Sequence, residues 1–201
     1  NMSMALSRDV MDEMQNFYVV IQPVVSTANG IPAGGEVLMR WKYKDRDVSP
    51  AVFIPLLEKG KNIRVAGKWV FEQAVRICRR LMAYNPSFYL TFNVSYHQIG
   101  DDDFINFVRQ TLERYQVSGE NLVAELTETH FDDNPEKLRR FVEECSKLKI
   151  RIALDDFGSG YSSLALLLKY PANIVKLDRS LLMEMTESVD KMNFTSSIVY
   201  A

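Results

Sequence analysis

The sequence predicts an α/β protein in which an antiparallel pair of strands precedes alternating helices and parallel strands. Segments rich in β-branched and aromatic residues alternate with segments whose apolar residues repeat at helical spacing, and such alternation is typical of a parallel sheet. The connections between the later strands are long enough for right-handed crossovers. The same pattern fits an open doubly wound sheet as well as a (β/α)-barrel.

The first two predicted strands form the antiparallel pair. Residues 17–25 and 35–41 have the composition of strands, and a turn signal at 27–30 lies between them. Strands joined by so short a connection pair antiparallel. Residues 1–16 are predicted as an N-terminal helix or linker, and the amphipathic segment 9–14 fits a linker helix as well as the domain's own first helix.

The boundaries of the later elements follow from local signals. Ser49 and Pro50 are a typical N-cap and first helical residue, and Asn85-Pro86 ends a long helix. The predicted helices start at 50, span 63–84, 101–115, 132–148 and 164–169, and start again at 184, whereas the strands span 88–94, 122–126, 150–154 and 174–177. The predicted apolar stripe of the long helix comprises Val65, Trp69, Val70, Ala74, Ile77 and Leu81.

Composition excludes several classes of protein. The 201 residues are 47% apolar and 25% charged with a net charge of −2, as in a globular domain, and a field so balanced argues against a nucleic-acid partner. Two cysteines and two histidines are too few for a disulfide framework, a Cys-rich zinc site or most His-based metal sites. Because no apolar run has the length of a membrane span and no secretory signal is present, we expect a cytoplasmic location without a membrane segment.

Polar side chains recur near the ends of the predicted strands. At the strand ends these are Asn93, Glu125, Glu128, Asp155, Asp156, Lys176 and Asp178, and Glu36 lies within the second strand beside Arg40. In a parallel barrel the C-terminal strand ends form one face, so these side chains would meet at one opening. Clustered carboxylates raise each other's pKa and need a positive partner, for which Mg²⁺ or Mn²⁺ with oxygen ligands fits best. A bridging carboxylate would hold two ions about 3.5–4 Å apart, an arrangement used on phosphate esters.

A structural explanation of the same acids competes with this one. Acids at 101–103 and 132–133 suit helix starts and need no further role. Asp155 and Asp156 fit that explanation poorly, because they follow an apolar strand and precede glycines. For Glu125 both explanations stay open. Lys176 fits a surface lysine, but its place at the end of an apolar strand suits a partner for the acids better.

A series of motifs in the right order then resembles a known family. The motifs lie at 18–23, 36–41 (EVLMRW), 49–56, 93–95 (NVS), 125–128 (ELTE), 155–163 (DDFGSGYSS) and 176–180 (KLDRS). They resemble the EAL domain family, which hydrolyses the bacterial second messenger cyclic di-GMP. The resemblance covers nearly the whole chain from residue 18 onward, and its last two strings are highly specific.

The resemblance implies a fold and an activity. The fold would be a (β/α)8 TIM-like barrel with an antiparallel first strand, of which residues 17–201 supply about six strands and lack the last ones. The activity would be metal-dependent hydrolysis of cyclic di-GMP to linear pGpG, with two Mg²⁺ or Mn²⁺ ions. The implied partners are a second copy of the chain in a homodimer and fused GGDEF or sensor domains, so the domain is expected in the cytoplasm or as the cytoplasmic part of a membrane-anchored protein.

The resemblance also implies roles for individual residues. One ion would be held by Glu36, Asn93, Glu125 and Asp155, and the second by Asp155 and Asp156. Lys176 would orient or activate the attacking water, and Glu128 would hold the loop that links metal binding to dimer contacts. Substrate contacts would come from Gln22, Leu38 and Arg40.

Two departures from the family pattern stand out. Val37 replaces the alanine of the signature tripeptide, which concerns packing and affinity rather than the metal ligand Glu36. The family continues to a seventh strand with a catalytic glutamate and a later Gln-Gly-Tyr stretch, and this sequence ends at Ala201 before both. We therefore expect the natural chain to be longer. The alternatives are a non-catalytic cyclic di-GMP receptor, a regulatory dimerisation module or an unrelated metal-dependent barrel enzyme.

Overall fold

The computed structural model describes residues 1–127, 134–158, 172–180 and 183. These residues form one sheet with helices packed against it. The strands are β1 (Phe17–Val25), β2 (Pro32–Tyr43), β3 (Arg46–Val48), β4 (Tyr89–Asn93), β5 (Leu122–Thr127), β6 (Arg151–Phe157) and β7 (Ile174–Leu177). The helices are α1 (Met2–Met11), α2 (Pro50–Lys59), α3 (Ile63–Leu81), α4 (Asp102–Tyr115) and α5 (Pro135–Lys147).

The strand order is β1-β2-β4-β5-β6-β7, and β3 pairs with β2. The predicted antiparallel opening is confirmed, because β1 pairs antiparallel with β2 and the strands from β2 to β7 along this order pair in parallel. Within the described residues the sheet is open, with β1 and β7 at its two edges. Strand β3 was not predicted, because three mostly polar and exposed residues carry no strand pattern.

Register divides the sheet into a helix-covered face and a polar face. Val37, Met39 and Trp41 of β2 are buried in the core, so the alternating residues Glu36 and Arg40 lie on the opposite face. The same alternation along each neighbouring strand gathers the polar residues of the site on that opposite face.

Helix α3 connects the sheet to the next helix through aromatic packing. Phe71 contacts Phe92 of β4 edge to face, with ring centroids 5.0 Å apart, and Phe104 of α4 at 6.4 Å. Because α3 is covered by both the sheet and α4, its buried face is wider and rotated relative to the predicted stripe. Val70 and Ala74 are buried as predicted, whereas Val65 is 47% exposed.

The predicted ends of several helices need correction or lie outside the described residues. Helix α3 ends at Leu81 rather than at 84, because the amides of Tyr84 and Asn85 turn back to the Leu81 carbonyl. The N-cap of α4 is Asp101, as its sequence predicts, and that of α5 is Asn134. The predicted elements at 164–169 and from 184 lie outside the described residues.

Helix α1 packs into the same core as the strands. Leu6 and Val10 are buried, and the carboxylate of Asp9 accepts hydrogen bonds from Trp41 and Asn16. The amphipathic segment 9–14 is not one helix, because α1 ends at Met11 and the backbone then turns through positive φ angles. None of the described helices is long and apolar enough to cross a bilayer.

Candidate active site

Three carboxylates converge on one ammonium group on the polar face of the sheet. Lys176 Nζ donates to Glu125 Oε2 at 2.7 Å and to Glu36 Oε2 at 3.1 Å, and it lies 3.1 Å from Asp155 Oδ1. These residues come from β7, β5, β2 and β6, so their contact is a product of the sheet topology. When all three carboxylates are ionised, the single ammonium leaves the cluster with excess negative charge.

Asn93 joins this cluster from the end of β4. Its side-chain Nδ2 donates to Glu36 Oε1 at 3.0 Å, and its backbone is in register with Glu125 of β5. The structure therefore brings together Glu36, Asn93, Glu125, Asp155 and Lys176, which the sequence analysis assigned to one site.

Burial controls the electrostatics of Glu125. The residue is 1% exposed, and burial raises its pKa to about 7, an effect that the hydrogen bond from Lys176 partly offsets. Its second oxygen, Oε1, has no hydrogen-bond partner among the described residues. The neighbouring Thr91 hydroxyl also lowers the pKa, although its Oγ1 makes no hydrogen bond of normal geometry within that part of the chain.

The same ion pairs keep Lys176 charged. Burial alone would lower the pKa of its ammonium, but the hydrogen bond to Glu125 and the charges of Glu125, Glu36 and Asp155 raise it above its ordinary value. Lys176 is therefore a permanent cation at neutral pH. In this arrangement it can donate hydrogen bonds to water or to a phosphate oxygen, but it has no lone pair with which to accept a proton.

A bulge in β6 places two adjacent aspartates opposite Lys176. The register between β6 and β7 shifts between Leu154 and Phe157, so that Asp155 and Asp156 together oppose Lys176, and Asp156 adopts a φ of 55°. Strand β6 continues to Phe157, past the predicted strand end at 154, so both aspartates lie within the strand at its C-terminal end. The large buried residues Ile152 and Leu154 are two positions apart, as in a regular strand, but Leu154 and Phe157 are three apart. This extra residue is the sequence signal of the bulge.

Asp156 lies beside the cluster without touching Lys176. Its backbone N–H donates to Asp155 Oδ1 at 3.0 Å. Partial burial and the nearby charges of Asp155 and Asp178 raise the pKa of the Asp156 carboxyl.

The predicted substrate residues lie next to this cluster. Gln22 is exposed and faces Glu36 across the β1–β2 pair. Leu38 and Arg40 line a cavity of about 400 Å³ that also includes Asn93. The Arg40 guanidinium donates to the carbonyl of Met39 at 2.9 Å. Glu128, the predicted loop-holding residue, lies outside the described residues.

The cavity also has polar lining residues that were not predicted as site residues, namely Glu58, Ser95 and Gln98. Ser95 Oγ donates to Glu58 Oε1 at 2.9 Å, and Gln98 Oε1 accepts from the Ser95 backbone amide at 3.0 Å. The Ser-x-x-Gln spacing of a capping box, which the structure contains at 95–98, was the available signal.

The residues present fit a hard divalent cation. Among the described residues no group of three or more His, Cys, Asp or Glu side chains forms a ready metal cluster, because the Lys176 ammonium stands between the carboxylates. The donor set nevertheless consists of carboxylate and amide oxygens, which such ions prefer. The buried Glu125 Oε1, which has no partner in the described part of the chain, is an acceptor with free lone pairs in this set.

Comparison with known proteins places this site in a family. The family model of the EAL domain matches residues 4–201. Two relatives from Pseudomonas aeruginosa are the bifunctional diguanylate cyclase/cyclic di-GMP phosphodiesterase MucR, 31% identical over 189 residues, and the cyclic di-GMP phosphodiesterase NbdA, 30% identical over 190 residues. The aligned regions cover 93% and 94% of this chain but 28% of MucR and 24% of NbdA.

A solved structure agrees with both the family and the fold. The PaMucR phosphodiesterase in complex with cyclic di-GMP superposes with a TM-score of 0.87 at 29% identity, over 100% of this chain and 81% of that one. The chain belongs to the EAL domain family, and the predicted TIM-like α/β fold is confirmed, with an open sheet in the described residues. Because the chain spans less than a third of MucR and NbdA, it corresponds to one part of such longer proteins.

Proposed function

We propose that this chain is the phosphodiesterase part of a bacterial signalling protein and hydrolyses cyclic di-GMP to linear pGpG. The single observation that carries the proposal is the convergence of Glu36, Glu125 and Asp155 on Lys176 on the polar face of the sheet. Family membership and the activities for which MucR and NbdA are named support the choice of substrate and reaction.

In this proposal two Mg²⁺ or Mn²⁺ ions are held by the oxygen donors of the site. Glu36, Asn93, Glu125 and Asp155 would hold one ion, and Asp155 with Asp156 the other. Such ions supply Lewis-acid activation of water and of the phosphate oxygens. The bulge in β6, which sets Asp155 and Asp156 together against Lys176, supports a bridging role for Asp155.

The other residues of the site bind and orient the substrate. Lys176, which stays protonated, donates hydrogen bonds to a phosphate oxygen or to the attacking water. These hydrogen bonds orient the water relative to the phosphorus atom. Arg40 supplies a second cation at the rim of the cavity, and Gln22 faces Glu36 where a substrate bound to the cluster would lie.

The predicted homodimer, the fused GGDEF or sensor domains and the cytoplasmic location remain part of this proposal. The bifunctional name of MucR supports the fusion.

The test is turnover of cyclic di-GMP by the full-length protein with Mg²⁺ or Mn²⁺, in the wild type and in Asp155→Asn. We expect pGpG as the product and a loss of more than about 100-fold in the variant, because an amide neither bridges two cations nor offsets their charge. Asp102→Asn, which removes an exposed charge at the start of α4 that pairs with Arg140, is the matched control and should keep full activity. Tight binding of cyclic di-GMP without turnover by the wild type would contradict the proposal and favour a receptor.

A further inference from the structure

The chain that follows Asn93 is anchored to two neighbouring elements. The Ser95 hydroxyl donates to Glu58 Oε1 of α2 at 2.9 Å. The backbone N–H of Val94 donates to the Glu125 carbonyl of β5 at 3.1 Å. Asn93 is the last residue of β4, so these contacts begin where the regular strand pairing of β4 ends.

Helix α3 also leaves room for this anchored turn. Gln98, which is 2% exposed, accepts the backbone N–H of Ser95 and lies directly against Gly67 of α3. A Cβ atom at position 67 would overlap the side-chain amide of Gln98. Helices α2 and α3 thus both hold the turn at 95–98 in place.

Asn93 needs such support because its own side chain is held weakly. The residue is exposed, and among the described residues its side chain makes one hydrogen bond, the 3.0 Å contact to Glu36 Oε1. The direction of the Asn93 amide therefore depends on the backbone on either side of it. On one side this is the β4 ladder, and on the other it is the Ser95 anchor.

We propose that Glu58 is a positioning residue for Asn93: by accepting the Ser95 hydroxyl, its carboxylate fixes the end of β4 and aims the Asn93 amide at the Lys176 cluster. This role rests on the proposed function, in which Asn93 holds an ion. Glu58 acts through Ser95, and groups that orient a metal ligand in this way typically change metal affinity about 10- to 100-fold when they are removed.

The first measurement uses the metal-free full-length protein. Amide hydrogen exchange at Val94 is compared in the wild type, Glu58→Ala, Ser95→Ala and the double variant. We expect each single variant to speed exchange about 5-fold, which corresponds to the loss of one hydrogen bond, and the double variant to be no faster. Glu58→Gln keeps an acceptor oxygen for Ser95 and should stay near the wild-type rate.

The second measurement is Mn²⁺ affinity by calorimetry, followed by the Mn²⁺ dependence of kcat. Glu58→Ala and Ser95→Ala should each bind Mn²⁺ about 10-fold more weakly, and excess Mn²⁺ should restore most of kcat. Glu72→Ala is the matched control, because Glu72 also accepts a hydroxyl between helices, from Tyr115 at 2.7 Å, and does not line the cavity that contains Asn93. It should lower stability without changing Mn²⁺ affinity.

Different failures have different meanings. If a folded Glu58→Ala keeps wild-type exchange at Val94 and wild-type Mn²⁺ affinity, the role of Glu58 is overturned while the proposed function stands. The role is equally overturned if Glu58→Gln is as defective as Glu58→Ala, since charge rather than hydrogen bonding would then matter. A wild-type protein that neither binds Mn²⁺ nor hydrolyses cyclic di-GMP overturns the proposed function and this role with it.

Discussion

Lys176 Nζ lies 2.7 Å from Glu125 Oε2 although β6 runs between the strands that carry the two residues. The contact crosses β6 at Ala153, which is fully buried and in register with Glu125 on one side and Ile174 on the other. Because side chains two residues apart share a face, Lys176 follows Ile174 on the face that Ala153 occupies. From this register we infer that a larger side chain at position 153 would obstruct the ammonium on its way to Glu125.

Ala153→Leu should therefore separate Lys176 from Glu125. We expect a loss of stability of about 1–3 kcal/mol from overpacking and a large loss of phosphodiesterase turnover, because the ammonium no longer reaches the buried carboxylate. Urea unfolding and the rate of pGpG formation measure the two effects. Ala153→Ser adds one small atom and serves as the control, which should keep most of the activity. An active Ala153→Leu enzyme would show that the Lys176–Glu125 contact is dispensable.

Removal of the central cation should destabilise the metal-free protein. Lys176→Met leaves the carboxylates of Glu36, Glu125 and Asp155 without their shared partner. Breaking a buried ion pair costs about 3–5 kcal/mol, and since the Lys176 side chain is 30% exposed we expect about 2–3 kcal/mol. Urea unfolding in the presence of a chelator measures the change.

Lys149→Met, which removes an exposed ion pair with Glu120, is the control and should change stability by less than about 1 kcal/mol. Equal effects of the two substitutions would contradict the prediction.

Much of the sheet could be predicted because its strands are apolar and bounded by turns. Strands β1 and β7 begin and end where the sequence pattern places them. Most polar residues of the site could be assigned to one opening because they stand near the ends of parallel strands, whereas Glu36 lies in the first half of β2. The family motifs then singled out the same residues.

The remaining features depend on contacts that no local pattern encodes. The bulge at Asp155 and Asp156 arises from pairing with β7, and the buried face of α3 is decided by α4 as well as by the sheet. Strand β3 exists because it pairs with β2, although its own residues are exposed. The hydrogen bond between Glu58 and Ser95 joins residues 37 positions apart, so it could be seen only after the elements were packed.

The buried carboxylate of Asp9 should matter more for stability than its place near the start of the chain suggests. It accepts the indole N–H of the fully buried Trp41 at 2.9 Å and the side-chain amide of Asn16 at 3.0 Å. Asp9→Ala leaves the buried indole N–H without an acceptor, which should lower stability by about 1–3 kcal/mol. Asp9→Asn keeps an acceptor oxygen and should lose less. Urea unfolding followed by tryptophan fluorescence measures both, and equal losses would contradict the hydrogen-bond explanation.

The two thiols should react slowly and in a fixed order. Burial raises the pKa of Cys78 to about 11 and, together with the nearby charge of Glu144, that of Cys145 to about 12, against an ordinary value of 9.0. At pH 8 the thiolate fractions should fall about 100-fold and about 1,000-fold below those of the unfolded chain, so Cys78 should be alkylated before Cys145.

The same shifts set the sign of a pH dependence of stability. A thiol whose pKa is raised by folding contributes its full stability below the unfolded pKa. That contribution is lost as the pH rises from 9.0 toward about 11 for Cys78, because the unfolded chain releases its proton first. Pulse alkylation with peptide mass analysis from pH 7 to 10, with the urea-unfolded chain as control, tests the order of labelling, and urea unfolding over the same range tests the stability. Labelling of Cys145 at the rate of the unfolded control would show that this thiol is not buried in the core.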